Sequence, residues 1–158
     1  MHLRLLALTL LCAQSAFAAD ITINQIAPYY DEKIIPSNIR TECTNLGSKL
    51  AESTGLAVQK NGWSVIKQAD VDTSAPGVSL KLSIVNALSG GNAFTGHAKS
   101  VTISAELFKD GKLIDTYTGT RNSSGGFGAG FKNSCSVLER CANTLGSDVA
   151  KWLKSKNI

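Results

Sequence analysis

The chain is poor in the side chains that most catalytic and metal chemistry uses. It has two histidines, and His2 lies in the leader described below, so His97 stands alone. A lone imidazole excludes a multi-histidine metal site and argues against a zinc enzyme. A serine hydrolase would have to build its triad on His97, yet no G-x-S-x-G elbow precedes a helix. The glycine-rich stretches lack the lysine of a phosphate loop at its required spacing. Asp70 and Asp72 lack the calcium-loop pattern and its terminal Glu, and read as a solvated turn. No run approaches the ~20 apolar residues that cross a bilayer. No block of Lys or Arg is dense enough to mark a nucleic-acid surface. The expectation is therefore no cofactor, no metal, no nucleic acid and no transmembrane segment in the mature protein.

What is present begins with a leader. His2 and Arg4 precede the apolar run Leu5–Leu11 and the small-x-small triplet Ala16-Phe17-Ala18. That is the anatomy of a secretory signal, so residues 1–18 are read as a cleaved signal peptide and 19–158 as one domain in the periplasm or outside the cell. Leu11 stands before Cys12 where a lipoprotein signal carries a small residue, so Cys12 is assigned to the leader. Taking Arg4 from sixteen basic residues leaves fifteen against twelve acidic, a net charge of +3. Three cysteines remain, Cys43, Cys135 and Cys141. In an oxidising compartment two of them are expected to pair.

The stretch from Gly77 to Gly130 organises the domain. Val78, Leu80, Leu82 and Ile84 alternate with polar residues, as do Val101, Ile103, Ala105 and Leu107. This is the period of strands with one dry face. Asp110-Gly111 turns the chain into a third strand, Lys112–Thr120. A two-residue loop there would set Glu106 opposite Asp115 and Lys109 opposite Lys112, which is unfavourable. A three-residue loop pairing Leu107 with Leu113 and Ile103 with Tyr117 is preferred. Glu106 and Asp115, although on adjacent strands, read as surface charges.

Upstream, Ile21 and Ile23 mark a short strand, and Trp63–Lys67 another. Between them Ser37 starts a helix in which Ile39, Cys43, Leu46 and Leu50 recur at helical spacing, running to Asn61-Gly62. A hairpin over Leu56–Ile66 is the alternative. A second amphipathic helix spans about Ser134–Lys154, with Val137, Leu138, Cys141, Leu145, Val149, Trp152 and Leu153 on its apolar face. Gly47 and Gly146 are expected where the two helices approach closely.

The predicted fold is α+β, a two-layer sandwich with two helices packed on one face of a mostly antiparallel four- to five-stranded sheet. A simple meander from Val78 onward puts the segments 87–98 and 122–133 at one end with the start of the last helix. It also makes the helices antiparallel and sends Cys43 to the other end, which favours Cys135–Cys141. Parallel helices would favour Cys43–Cys141 instead.

The glycine-rich pole is the best candidate site. Its proposed binding residues are Asn92, Phe94, His97, Arg121, Ser123, Ser124 and Phe127. Glycines let backbone N–H groups approach a ligand, and a helix N-terminus nearby favours an anion. Arg121 offers a fork of donors suited to a carboxylate or phosphate. The plainer reading is mobile loops with tucked aromatics, and Arg121 paired with a nearby acid.

The run Gly90-Gly91…Gly96, Val101–Leu107, Asp110-Gly111-Lys112 and Arg121-Asn122-Ser123-Ser124-Gly125-Gly126 resembles a group of uncharacterised small exported proteobacterial proteins, many of them lipoproteins. The resemblance covers the C-terminal half. It implies an envelope role and an α+β domain akin to envelope-assembly accessory proteins, and transfers no catalytic residue. Three functions follow. The first is a non-enzymatic protein that binds a protein or cell-envelope partner through the pole. The alternatives are a small secreted hydrolase using His97 and a purely structural envelope protein.

Overall fold

A computed structural model describes residues 19–92, 96–123, 134–156 and 158, with 91, 92, 96 and 97 given by backbone alone. The leader therefore lies outside the described residues. Five strands and three helices follow one another: β1 (Asp20–Asn24), α1 (Ser37–Glu42), α2 (Leu46–Lys60), β2 (Ser64–Gln68), β3 (Val78–Asn92), β4 (Gly96–Lys109), β5 (Lys112–Ser123) and α3 (Ser134–Lys154). The strands form one sheet in the order β2-β1-β3-β4-β5. The α+β two-layer expectation holds, with one correction. The sheet is mixed, because β1 runs parallel to both β2 and β3.

Burial explains that arrangement. Ile21 and Ile23 are fully buried, and only an interior strand encloses them completely. β1 therefore sits between β2 and β3. The segment 69–77 consequently carries the chain back to the far end of the sheet, so β3 starts parallel to β2. A simple turn would have reversed its direction. Gly77 fastens this return to the β4–β5 turn: its N–H donates to Asp110 Oδ1 at 2.8 Å, and Asp110 N–H donates to its carbonyl at 2.9 Å.

Two irregularities set the faces of the long strands. An extra residue, Val85, interrupts the β3–β4 register between Ile84 and Asn86. Leu80, Leu82 and Ile84 point at the helices; beyond the bulge Ala87 takes over that face and Leu88 turns outward. At the β4–β5 turn the two-residue loop forms, with Asp110 at φ 50° and Gly111 at φ 80°. Both positive angles belong to the tight hairpin turn that suits the strand twist. Lys109 does face Lys112, and Phe108 faces Leu113. A bulge at Ile114 then shifts the register, so Asp115 meets Leu107 and Glu106 meets Thr116. The bulge thereby removes the Glu106–Asp115 opposition and leaves Lys109–Lys112 at the exposed turn, and the preferred three-residue register is corrected.

The expected first helix is broken in two. α1 ends at Cys43, whose ψ of 49° leaves the helical region, and α2 restarts at Leu46. Leu46, Leu50, Ala51 and Val58 of α2 and Leu138, Leu145, Val149 and Leu153 of α3 pack on the inner face of the sheet. Gly146 is the close-approach glycine: a Cβ there would lie 2.7 Å from Thr54 N. Gly47 does not serve that purpose, since it abuts the backbone carbonyl of Ala27.

α2 and α3 run parallel, because their contacts climb together. Cys43 is bonded to Cys135, Ser53 Oγ reaches Ala142 O at 3.5 Å, and Asn61 Nδ2 reaches Ala150 O at 3.0 Å. The disulfide is thus Cys43–Cys135, with Cα atoms 5.1 Å apart, and Cys141 is a buried free thiol. Both expected pairings, Cys135–Cys141 and Cys43–Cys141, are corrected. The error came from the 69–77 return: once β3 is parallel to β1, β5 is too, and both helix starts fall at one end.

Candidate functional site

The described parts of the expected pole lie at that end. The β3–β4 arm closes there with Asn92 opposite Gly96 and Gly91 opposite His97, and Lys99 lies opposite Ser123 at the end of β5. The segment 87–92 is strand, as is 96–98, so the first expected loop is largely a hairpin arm. Of the proposed residues, Phe94, Ser124 and Phe127 lie outside the described residues. Asn92 and His97 are placed by backbone only. Arg121 and Ser123 are brought together.

They line a cleft of about 280 Å³ between the end of β5 and the first turns of α3, with Asn122 beside them. The opposite wall comes from Val137, Arg140, Cys141 and Thr144 of α3. These recur three or four residues apart, so one helix face presents them all. Sequence reasoning passed over Arg140 and Thr144. Their signal was available, because they border the apolar stripe that Val137 and Cys141 begin.

Arg121 is held in place from behind. Its Nε and Nη2 donate to Asp148 Oδ2 at 2.8 and 2.6 Å, and Lys151 Nζ stands 3.5 Å from Asp148 Oδ1. Donating to Asp148 raises the guanidinium further above its ordinary value, so it is charged at every physiological pH. The guanidinium is about half exposed, so solvent screening leaves the pair little weight in stability. Its effect is orientation: among the described residues Nη1 has no partner. Arg140 is exposed and makes no ion pair among the described residues. Burial pushes the Cys141 thiol up, with Arg140 and Arg121 opposing more weakly. A protonated thiol is a poor nucleophile. The cleft presents two guanidinium groups, which only donate, beside hydroxyl and amide groups that both donate and accept.

A second groove of about 250 Å³ runs between α2 and α3, lined by Lys49, Glu52, Ser53, Leu56 and Asn143. There Lys49 is already paired with Glu52 at 3.1 Å, so it offers less to a ligand. Asp72 accepts from Ser74 N at 2.9 Å and Oγ at 2.6 Å, closing the solvated turn. Glu106 and Asp115 do not face each other, and Asp115 pairs with Lys156. Trp152 packs against the core beside Tyr117, ring centroids 5.7 Å apart. No helix among the described residues is long and apolar enough to cross a membrane.

The layered α+β architecture places the chain in a class already seen in solved structures. A PelC dodecamer from Paraburkholderia phytofirmans has 15% identity, a TM-score of 0.56, and coverage of 84% of this chain and 86% of that one. A DUF330 protein from Xanthomonas campestris has 13% identity and a TM-score of 0.53, covering 87% and 84%. Lipoprotein GNA1162 from Neisseria meningitidis has 14% identity and a TM-score of 0.52, covering 87% and 99%. At these identities the likeness establishes the fold. No family model and no curated protein matches the chain. The Cys43–Cys135 bond is the kind of link that persists in an oxidising compartment.

Proposed function

We propose that the protein is exported by cleavage of residues 1–18 and serves in the cell envelope as a non-enzymatic binding protein. The cleft between β5 and α3 holds its partner. The observation that carries this reading is the gathering of Arg121, Asn122, Ser123, Arg140 and Thr144 around one open cleft, beside a buried thiol kept protonated. Donors converging on a concave surface are what recognition requires. The sharing of this fold with lipoproteins supports the envelope setting.

The test is crosslinking in intact cells through a photoreactive residue at Thr144, followed by capture of the full chain. A defined adduct is expected with the native cleft and is expected to vanish in Arg121→Ala/Arg140→Ala. An adduct of undiminished yield in that double variant, or none at all, would overturn the reading.

A further inference from the structure

The inner face of the sheet carries one side chain that its surroundings do not explain. β4 places Val101, Ile103, Ala105 and Leu107 against the helices, each fully buried. Lys99 occupies the next inward position and is itself only 6% exposed. Its Nζ donates to Ser89 Oγ at 2.7 Å. Among the described residues no carboxylate comes within 4.0 Å of it. An ammonium carries three donors, and a neutral hydroxyl accepts one of them and cancels none of the charge. Burying such a group without a counter-charge is costly.

The strand register locates this cation. Lys99 lies directly between Ser89 on β3 and Ser123 on β5, and Ser123 lines the cleft. Facing residues on one sheet face stand close enough to act on a common ligand. One rung further along, Arg121 lies opposite Val101 and is aimed by Asp148, while Arg140 approaches from α3. Arg121 and Arg140 line the cleft, and Lys99 lies one strand behind its Ser123 wall with Nζ on Ser89, so three cationic side chains from three elements gather at this end of the sheet. The acid that the ion pairs place here is Asp148, already engaged by Arg121 and Lys151; Glu139 precedes Arg140 on α3 and is not in the cleft's lining.

We propose that this end of the cleft is a phosphate site, with Lys99 as its buried counter-charge and Arg121 and Arg140 as its outer donors. Phosphate rather than a single carboxylate suits three cations, because it offers several acceptor oxygens and more than one negative charge. The inference rests on the cleft being the binding surface and names the chemistry of what it takes. The phosphate is either free or carried by a lipid headgroup.

The experiment titrates the full mature chain with inorganic phosphate against sodium chloride at matched ionic strength, following the thermal midpoint. A saturable rise with phosphate alone is expected. Arg140→Ala, an exposed substitution, should weaken the apparent affinity about tenfold. Lys99→Met should abolish the phosphate response while raising the midpoint in phosphate-free buffer. Flotation with phosphatidylglycerol vesicles against phosphatidylcholine vesicles separates the two sources: binding to the former that Arg140→Ala removes assigns the lipid-borne group, and a phosphate response without flotation assigns the free anion. A response that chloride reproduces, or that both variants retain, overturns the site. If Thr144 crosslinking still captures a partner in that case, the cleft reading stands and only its chemistry is wrong. A phosphate response without any capture is the converse.

Discussion

Breaking the Cys43–Cys135 bond should remove a large share of this domain's stability. The bond joins residues 92 apart in sequence. By loop-closure entropy a link of that span constrains the unfolded chain by about 4–5 kcal/mol. Whole domains are stable by only ~5–15 kcal/mol. Urea unfolding of the oxidised protein, the dithiothreitol-reduced protein and Cys43→Ala/Cys135→Ala should therefore show the last two losing about 4–5 kcal/mol. In heat the same loss should lower the midpoint by roughly 10–18 °C for a chain of this length. The reduced and double-alanine proteins should agree with each other, since the buried Cys141 takes no part. Equal midpoints for oxidised and reduced protein would refute the entropic argument. Peptide mapping without reduction that found Cys141 in a bridge would refute the helix arrangement beneath it.

Three further outcomes follow from the packing. Gly146→Ala gains ~1 kcal/mol of helix propensity, but its Cβ would sit 2.7 Å from Thr54 N and 2.9 Å from Ser53 C. Overpacking against backbone costs ~1–3 kcal/mol, so the urea midpoint should fall, and a rise would show that the helices are further apart. Asp115 is held below the usual carboxylate range first by its hydrogen bond to Lys156 and then by Thr116 N–H. Its contribution is present above the unfolded carboxylate pKa of ~4 and is lost as pH falls through the lowered folded value. The midpoint difference between native protein and Asp115→Asn should accordingly shrink on acidification from pH 6 to pH 2.5 (about the span of that titration); a constant difference would contradict the pairing. Finally, burial raises the Cys141 thiol, so iodoacetamide should label it far more slowly in the folded than in the urea-unfolded protein. Equal rates would mean that the thiol is open to solvent.

Local periodicity made much of this fold legible. The alternation through Leu80–Ile84 and Val101–Leu107 and the apolar stripe of α3 are short-range patterns, and the structure has strands and a helix there. What composition does not encode is where a ladder slips. Val85 and Ile114 are ordinary strand residues, yet each is the extra residue of a bulge, and each decides which side chains face the helices. The direction of β3 was equally hidden. It follows from the enclosure of Ile21 and Ile23 between two neighbours, a long-range demand that no window of sequence displays. From that one reversal came both the helix directions and the cysteine partner. In the cleft, Arg121 and Ser123 were legible because they end a strand at a glycine-rich segment. Lys99 was not singled out, although it continues the alternation of β4 by one inward step.

The covalent tie between the front and rear of the chain changes what a peptide-bond break would mean. Every exposed turn between Cys43 and Cys135, the Asp110-Gly111 tip among them, lies inside the ring that the bridge closes. A protease that clips there makes two pieces that still travel as one particle, with β5 and α3 kept beside the first half of the fold. In an oxidising compartment such a nicked molecule would keep its cleft, and only a reducing agent would reveal that it had been cut.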